Sequence, residues 1–200
     1  FSDDLERVLA EAGATDATLV GFSMGGGEVA RYVSRHGPDR IRSVVFAAAI
    51  PPFLLQGEDN PEGPLDEGTY RTMRAGLEAD REGFLDGFIT DFFTADGELK
   101  VSEARRREAR ALAGRADLQA ALGAMDAWAT TDFRPDLEAL SVPVLIIHGD
   151  SDGIVPLEGS GLRTHRALEG SRLEVIPGAP HGVNVSHAHE FNRILLDFLA

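Results

Sequence analysis

Three side chains that lie far apart in this chain could together perform acyl transfer: Ser23, Asp152 and His181. A serine hydroxyl is a poor nucleophile at neutral pH, so a histidine must take its proton and a carboxylate must hold that histidine in the right tautomer. Ser23 is the centre of a Gly-x-Ser-x-Gly pattern that Gly21 and Gly25 complete. The residue types therefore predict a nucleophile, an acid and a general base.

The residues around Ser23 predict the strand, sharp turn and helix that expose a nucleophile. Residues 17–22 form a short apolar run typical of a buried parallel strand, and apolar residues recur at helical spacing from 25 to 36. This turn places the hydroxyl at a helix N-terminus, where amide groups favour developing negative charge. We expect side chains at positions 21 and 25 to collide with neighbouring elements, which explains the two glycines.

The acid and the base are both expected in loops that follow apolar strands, where catalytic side chains collect. The strand at 143–148 runs into a loop with two carboxylates, Asp150 and Asp152, and we assign the acid to Asp152. His181 lies in the turn between the strand at 172–176 and the last helix. The chain order Ser, Asp, His differs from the orders in chymotrypsin and subtilisin.

The other histidines are predicted to be structural. His148 ends an apolar strand, which favours a hydrogen-bonded structural residue. His187 and His189 could join His181 in a zinc site, but the chain has no cysteine and no His-Glu-x-x-His pattern, so no metal site is predicted. Two more lie near the ends of predicted helices, where a histidine suits the helix dipole: His36 and His165.

Three segments carry a family resemblance: Gly21–Gly37, His148–Pro156 and Gly178–Gly182. They resemble the cofactor-free bacterial non-haem chloroperoxidases and the related aryl esterases of the α/β-hydrolase superfamily. The resemblance runs from Asp3 to the C-terminus, and it implies the roles given above for the serine, the aspartate and the histidine. It further implies that the backbone N–H of Met24 is an oxyanion-hole donor and that no cofactor is needed.

The resemblance implies an α/β fold, with a parallel sheet flanked by helices and a helical cap inserted into it. We expect core segments at 1–50 and 136–200 and the cap at 51–135. The pattern predicts strands at 17–22, 42–49, 143–148 and 172–176, and cap helices at 69–79, 81–93, 101–113 and 116–128. The stretch from Gln56 to Gly68 is rich in glycine, proline and acidic residues and predicts a loop.

The front of the chain departs from this family, because the first strands of the sheet are missing. The segment from Phe1 to Gly13 is predicted to form the helix before the strand at 17–22, with Leu5, Val8 and Leu9 on one face. We therefore expect a C-terminal portion of a longer protein, without the second oxyanion donor. Expressed alone, these residues are expected to be poorly soluble or molten and to hydrolyse an ester at trace level only.

A substrate pocket is predicted beside the nucleophile. The helix at 81–93 has an apolar stripe at helical spacing, and most of its members are expected to pack in the core. The members are Phe84, Leu85, Phe88, Ile89 and Phe92. Phe53 directly follows a core strand and is the better pocket candidate, and Phe22 and Val155 are the other two pocket candidates.

Composition limits the partners. A formal charge of −14 argues against nucleic acid and anionic membranes. The absence of cysteine rules out disulfides and thiol chemistry and fits a reducing cytoplasm. No apolar stretch approaches the length of a transmembrane helix. The expected partner is a small ester or carboxylic acid, and hydrogen peroxide is a candidate second substrate. Assembly into a homo-oligomer is left as an open alternative.

These observations predict a two-step acyl transfer. Ser23 attacks an ester or activated acid while His181 takes its proton, and water or another acceptor then releases the acyl group. With hydrogen peroxide as the acceptor the product is a peracid, which the resemblance links to halide oxidation without haem or metal. The alternatives are another hydrolase on this fold, such as a lactonase, peptidase or carbon–carbon hydrolase, and an inactive fragment or binding protein that keeps the triad.

Overall fold

The computed structural model describes all 200 residues and contains six strands. They are β1 (Ala17–Phe22), β2 (Ile41–Ala47), β3 (Thr94–Ala95), β4 (Glu98–Leu99), β5 (Val144–Gly149) and β6 (Arg172–Ile176). Four of them form one parallel sheet in the order β1, β2, β5, β6, and β3 and β4 form a small antiparallel hairpin. The parallel α/β fold that the sequence predicts is therefore confirmed.

Ten helices surround or extend this sheet. They are α1 (Ser2–Glu11), α2 (Met24–His36), α3 (Glu67–Ala79), α4 (Arg81–Phe92), α5 (Glu103–Ala113), α6 (Leu118–Thr130), α7 (Arg134–Glu138), α8 (Gly161–Ala167), α9 (Val183–Ser186) and α10 (Ala188–Leu199). Not one of them combines the length and the apolarity that crossing a bilayer requires.

The central strands β2 and β5 are buried on both faces, which explains their nearly continuous apolar sequences. Val44 and Phe46 of β2 belong to the core cluster under α1 and α2, whereas Val45 and Ala47 belong to the cluster under α10. Alternate residues of one strand thus pack in opposite layers, as strand geometry requires. The sheet is the middle layer of a three-layer sandwich.

The carboxyl ends of all four parallel strands lie at one edge of the sheet, and the three predicted site residues follow three of them. The pairing brings Phe22 of β1 opposite Ala47 of β2, and Gly149 of β5 opposite Ile176 of β6. The backbone N–H of Ser23 donates to the carbonyl of Ala47 at 2.9 Å. Ala47 of β2 also lies opposite Ile147 of β5, so residues a hundred positions apart in sequence meet at this edge.

The helices α3 to α6 form a unit between β2 and α7. Leu77 of α3 packs with Leu122 and Met125 of α6 in a small core of their own. A second small cluster, in which Leu54 and Phe133 lie with Ile50 and Val155, joins this unit to the sheet edge. The predicted division at residues 135 and 136 falls inside α7, and the division into core and cap stays a prediction.

Several details differ from the sequence-based expectation. The strand predicted at 42–49 ends at Ala47, because Ala48 has a left-handed φ of 45° that no strand can continue through. In α1, Leu9 is buried but Val8 is 61% exposed, so Val8 does not share the packing face. The helix predicted from 101 begins at Glu103, because the Ser102 side chain caps it by accepting from the Arg105 N–H.

The strand β1 is an outer strand of the sheet, because it pairs with β2 on one side only. Its residue Val20 is 46% exposed, which is large for an apolar side chain in the strand that leads to Ser23. The register between β1 and β2 shifts between Ala17 and Thr18, and the Thr18 hydroxyl lies 2.7 Å from the Ser43 hydroxyl. This cross-strand contact ties the start of β1 to its one neighbour.

Candidate active site

Ser23 lies between β1 and α2 with a backbone conformation that L-residues rarely adopt. Its φ is 52° and its ψ is −121°. Such a residue stores strain of about 1–3 kcal/mol, which the surrounding structure must hold in place. Here the Ser23 N–H is bonded to Ala47, and the Ser23 carbonyl accepts from Gly26 and Ile50. The turn is thus fixed by β2 and by the first turn of α2.

The close approach of β1 to α2 explains Gly21 but not Gly25. A Cβ at position 21 would lie 2.6 Å from the carbonyl oxygen of Gly25 and 2.7 Å from the backbone of Gly26. A Cβ at position 25 would meet nothing within 4 Å, so the predicted collision there is wrong. Gly25 is the second residue of α2, and a side chain there would enter open space. The crowded helix positions are instead Gly26, whose Cβ would lie 2.4 Å from that of Ala49, and Gly27, whose Cβ would lie 2.4 Å from the Phe133 ring.

This difference predicts unequal effects of two matched substitutions. Gly21→Ala is expected to lower the free energy of unfolding by about 3 kcal/mol, because its methyl group would overlap a backbone that cannot move freely. Gly25→Ala is expected to change it by less than about 1 kcal/mol, since alanine favours the helix. Chemical denaturation of both variants checks this, and equal destabilisation would contradict the assignment of the close contact to Gly21.

Ser23, His181 and Asp152 form one continuous hydrogen-bonded chain. His181 Nε2 lies 2.9 Å from Ser23 Oγ, and His181 Nδ1 lies 2.7 Å from Asp152 Oδ2. Because the carboxylate is an acceptor only, Nδ1 carries the proton and Nε2 is free to accept one from the hydroxyl. The imidazole is 1% exposed, so bulk water does not compete for either contact. The arrangement is one in which a hydroxyl can become a nucleophile.

The buried carboxylate of Asp152 is held by donors on both oxygens. Oδ1 accepts from the N–H groups of Ile154 and Val155 at 2.9 and 2.8 Å. Oδ2 faces His181 and also His148, whose Nε2 is 3.3 Å away. Burial by itself raises the pKa of Asp152, but the hydrogen bonds from His148 and His181 outweigh burial and hold the pKa at about 2. This group is therefore an anion at every pH near neutrality.

Asp150, the other carboxylate of this loop, has a different position. Its Oδ1 accepts from the Gly178 N–H at 2.7 Å and from the Ser151 hydroxyl at 3.2 Å. The residue is exposed, and its contacts tie the loop after β5 to the turn that precedes His181. The structure thus brings Asp152, and not Asp150, to the histidine.

Two phenyl rings, those of Phe22 and Phe92, pack against the His181 ring, and their centroids lie 6.0 Å from each other. The ring centroid of Phe22 is 5.3 Å from that of His181, and the centroid of Phe92 is 4.7 Å from it, with the planes of Phe92 and His181 nearly perpendicular. The Phe92 carbonyl also accepts from the Gly182 N–H at 2.8 Å. The end of α4 therefore holds the histidine turn through both backbone and side chain. The sequence pattern predicted packing for most members of the apolar stripe and gave no sign that Phe92 contacts His181.

Two cavities lie beside the site and share Trp128 as a wall. The smaller, of about 210 Å³, is bordered by Met24, Ile50 and Phe133. The larger, of about 480 Å³, lies under the helices α3, α4 and α6 and is lined by Phe84 and Phe88 among other apolar residues. Two members of the predicted stripe thus border open space instead of packing fully in a core.

The backbone N–H of Met24 is the first amide of α2. The first amides of a helix have no partner within the helix, so this group is available to a ligand. Met24 follows Ser23 directly, and it borders the smaller cavity. An oxyanion formed next to Ser23 could accept a hydrogen bond there.

The three predicted pocket residues occupy different places. Phe22 lies against the His181 ring. Phe53 lies under the guanidinium of Arg134, at 5.4 Å from its ring centroid, and borders neither of the two cavities. Val155 is buried and contributes its N–H to Asp152 and its carbonyl to His148. Of the three, the structure places only Phe22 in contact with His181.

The remaining histidines lie away from these contacts. His36 is in the last turn of α2, with Nε2 at 3.0 Å from Asp3. His165 is in the last turn of α8 and bonds the Ser171 hydroxyl, and His187 bonds the Ser186 hydroxyl. No group of three histidine, aspartate or glutamate side chains is arranged to hold a metal ion.

Comparison with known proteins gives consistent similarities. The family described as alpha/beta hydrolase fold matches residues 1–188. The chain is 36% identical over 202 residues to a non-heme chloroperoxidase of Kitasatospora aureofaciens. This alignment covers 100% of this chain and 73% of that protein. It is 32% identical over 201 residues to a bifunctional esterase/perhydrolase of Acinetobacter calcoaceticus, covering 100% of this chain and 72% of that protein. The crystal structure of a bromoperoxidase from Bacillus anthracis is 50% identical and superposes with a TM-score of 0.97, covering 99% of this chain and 72% of that chain.

Proposed function

We propose that this chain, which belongs to the α/β hydrolase family and within it to the non-haem chloroperoxidases and their esterase relatives, is a serine hydrolase of carboxylic esters. Its nucleophile is Ser23, its general base is His181 and its acid is Asp152. The observation that carries this proposal is the chain of two hydrogen bonds, of 2.9 and 2.7 Å, that joins the three side chains. Its position at the start of a helix adds the charge stabilisation that acyl transfer needs.

In the first step the Ser23 oxygen forms a bond to the ester carbonyl carbon, and His181 Nε2 takes the hydroxyl proton. The carbonyl oxygen becomes an oxyanion, to which the Met24 N–H donates. The imidazolium, stabilised by Asp152, then gives its proton to the departing alcohol oxygen as the carbon–oxygen bond breaks. The result is an ester between the acyl group and Ser23.

In the second step an acceptor releases the acyl group by the same sequence. Water gives a carboxylic acid, and hydrogen peroxide gives a peracid, with His181 removing the acceptor's proton in both cases. A peracid transfers one oxygen to a halide ion and returns as the carboxylic acid, which can acylate Ser23 again with water as the leaving group, so halide oxidation consumes only peroxide and halide. The names of the relatives, which include an esterase/perhydrolase and a chloroperoxidase, support this second activity.

The two cavities are the proposed places for the substrate. We assign residues 51–135 to a cap whose larger apolar cavity takes one arm of the ester, while the cavity at Met24 takes the other. Trp128, which borders both, would separate the two arms. A small ester with one apolar group fits these dimensions, since ligand pockets of this kind are apolar with few polar groups.

The proposal is tested with a serine-directed fluorophosphonate and a chromogenic acetate ester. The purified protein is expected to be labelled once, on the peptide that contains Ser23, and labelling is expected to abolish ester turnover. Bromination is expected only when peroxide, bromide and a carboxylate are all present, and to stop after labelling. The control is Ser151→Ala, which removes a hydroxyl of the neighbouring loop and is expected to behave as the unaltered protein.

Each other outcome favours an alternative. Labelling without ester turnover would favour another hydrolase class on this fold, which lactone, peptide and carbon–carbon substrates then separate. No labelling and no turnover would favour an inactive fragment or a binding protein. Ester turnover without peroxide-dependent bromination would leave the hydrolase and remove the peracid activity.

A further inference from the structure

His148 is a buried histidine that none of the acyl-transfer steps uses, although it lies against the carboxylate on which they depend. Its side chain is 0% exposed and lies near the end of β5, four residues before Asp152. Its Nε2 is 2.8 Å from the Val155 carbonyl oxygen and 3.3 Å from Asp152 Oδ2. A residue expected to be only structural therefore contacts the acid of the proposed triad.

The surroundings of this ring decide where its proton lies. Both neighbours of Nε2 are oxygen atoms that only accept, so Nε2 must carry a proton. The other nitrogen, Nδ1, is buried without any hydrogen-bond partner. It packs over Gly161, where a Cβ would lie only 2.7 Å from it. A proton on Nδ1 would be an unpaired buried donor, which is costly, so His148 is neutral with its proton on Nε2.

We propose that His148 is a positioning residue that fixes the Asp152 carboxylate and thereby the alignment of His181, an inference that rests on the proposed function of Ser23. Its N–H is shared between two oxygens of one loop. By holding the Val155 carbonyl, it stabilises the turn that presents the Ile154 and Val155 amides to Oδ1. By facing Oδ2, it opposes rotation of the carboxylate around its bond to Cβ.

The position of the Asp152 carboxylate matters most in the step in which His181 becomes positively charged. The charged or titratable groups that face Asp152 are His148 from β5 and His181 from the turn after β6. With both in place, the carboxylate has donors on every side and keeps its orientation while the proton moves from Ser23 to His181. Without His148, one lone pair of Oδ2 loses its donor in a buried place, and the pKa of Asp152 is expected to rise.

The first test uses the unaltered protein, so it does not depend on the folding of any variant. Nitrogen-15 NMR of labelled histidines is expected to show His148 as neutral with the proton on Nε2. It is also expected to show a proton signal at unusually low field for the His181 to Asp152 hydrogen bond. A His148 that carries its proton on Nδ1, or on both nitrogens, would overturn the proposal.

The second test compares two substitutions of similar size. His148→Gln keeps an N–H group near the position of Nε2, whereas His148→Met removes it. We expect His148→Met to lower kcat about tenfold to a hundredfold with little change in KM, since hydrogen bonds to charged groups are the strong ones. The low-field proton signal should shift or vanish in that variant. His148→Gln should recover most of the rate and the signal.

The controls separate this inference from a merely structural role and from the proposed function. Rates are counted per site that the fluorophosphonate labels, so loss of folded protein does not lower them. His165→Gln, on α8 and bonded to Ser171, should leave kcat and the signal unchanged. If His148→Met retains full kcat per labelled site and an unshifted signal, the positioning role is contradicted while the serine hydrolase proposal stands. If the unaltered protein neither labels nor turns over ester, the proposed function fails instead.

Discussion

Ser23→Ala is expected to abolish measurable ester hydrolysis, however low the rate of the unaltered chain, because removal of a serine nucleophile costs on the order of 10⁶-fold in kcat in an established triad. The reason is that no other hydroxyl shares its position: it lies 2.9 Å from His181 Nε2 and directly before the first amide of α2. A methyl group fits in place of the hydroxymethyl group, so the fold should be kept. Kinetics with a chromogenic acetate ester, with circular dichroism to check folding, measures the effect.

The matched control for this variant is Ser151→Ala. Ser151 lies in the loop that carries Asp152, and its hydroxyl donates to Asp150 rather than to any group of the triad. The Ser151→Ala variant should retain the rate of the unaltered protein within about twofold, because substitutions that leave buried contacts intact usually have small effects. A Ser23→Ala protein that turns over ester at the original rate would show that another residue is the nucleophile.

Asp152→Asn is expected to lower kcat on the order of 10⁴-fold while leaving the ester bound as before. Because Oδ1 accepts from two backbone amides, the asparagine oxygen must take that side, and its NH₂ group must face His181. That group donates to Nδ1, so the neutral imidazole carries its proton on Nε2, directed at Ser23. His181 can then no longer accept the proton of the hydroxyl. Steady-state kinetics and the NMR state of His181 check both parts.

Asp150→Asn is the matched control for the aspartate, two residues away in the same loop. Its carbonyl oxygen can still accept from the Gly178 N–H, which is the main contact of the native carboxylate. We expect its kcat to stay within a few fold of the original, as for an exposed surface change. Should Asp150→Asn lose activity while Asp152→Asn keeps it, the assignment of the acid would be reversed.

The positions of the three proposed catalytic residues could be predicted because the local sequence determines where each one lies. A nucleophile pattern between an apolar strand and a helix has few other interpretations, and parallel strands bring their carboxyl ends to one edge. Ser23, Asp152 and His181 each follow such a strand, so the sequence already implied that they meet. The choice of Asp152 over Asp150 could be made, but the contacts behind it were visible only in the structure.

Other features could not be predicted, because they depend on contacts between distant elements. Nothing in the order of residues says that Phe92, at the end of α4, reaches His181, or that Phe53 lies under Arg134. The reason given for Gly25 was wrong since the direction of a Cβ depends on how α2 crosses β1. His148 was correctly expected to be hydrogen-bonded, yet its proximity to Asp152 follows from the shape of one turn.

The central claim is that an acyl group is carried on Ser23, and mass spectrometry of the reacting protein tests it most directly. The protein is mixed with a chromogenic acetate ester, quenched in acid within the first turnover and digested. The account predicts an acetyl group on the peptide that contains Ser23, which forms and then disappears as the ester is consumed. Continued ester turnover with no such adduct, or with an adduct at another residue, would contradict it.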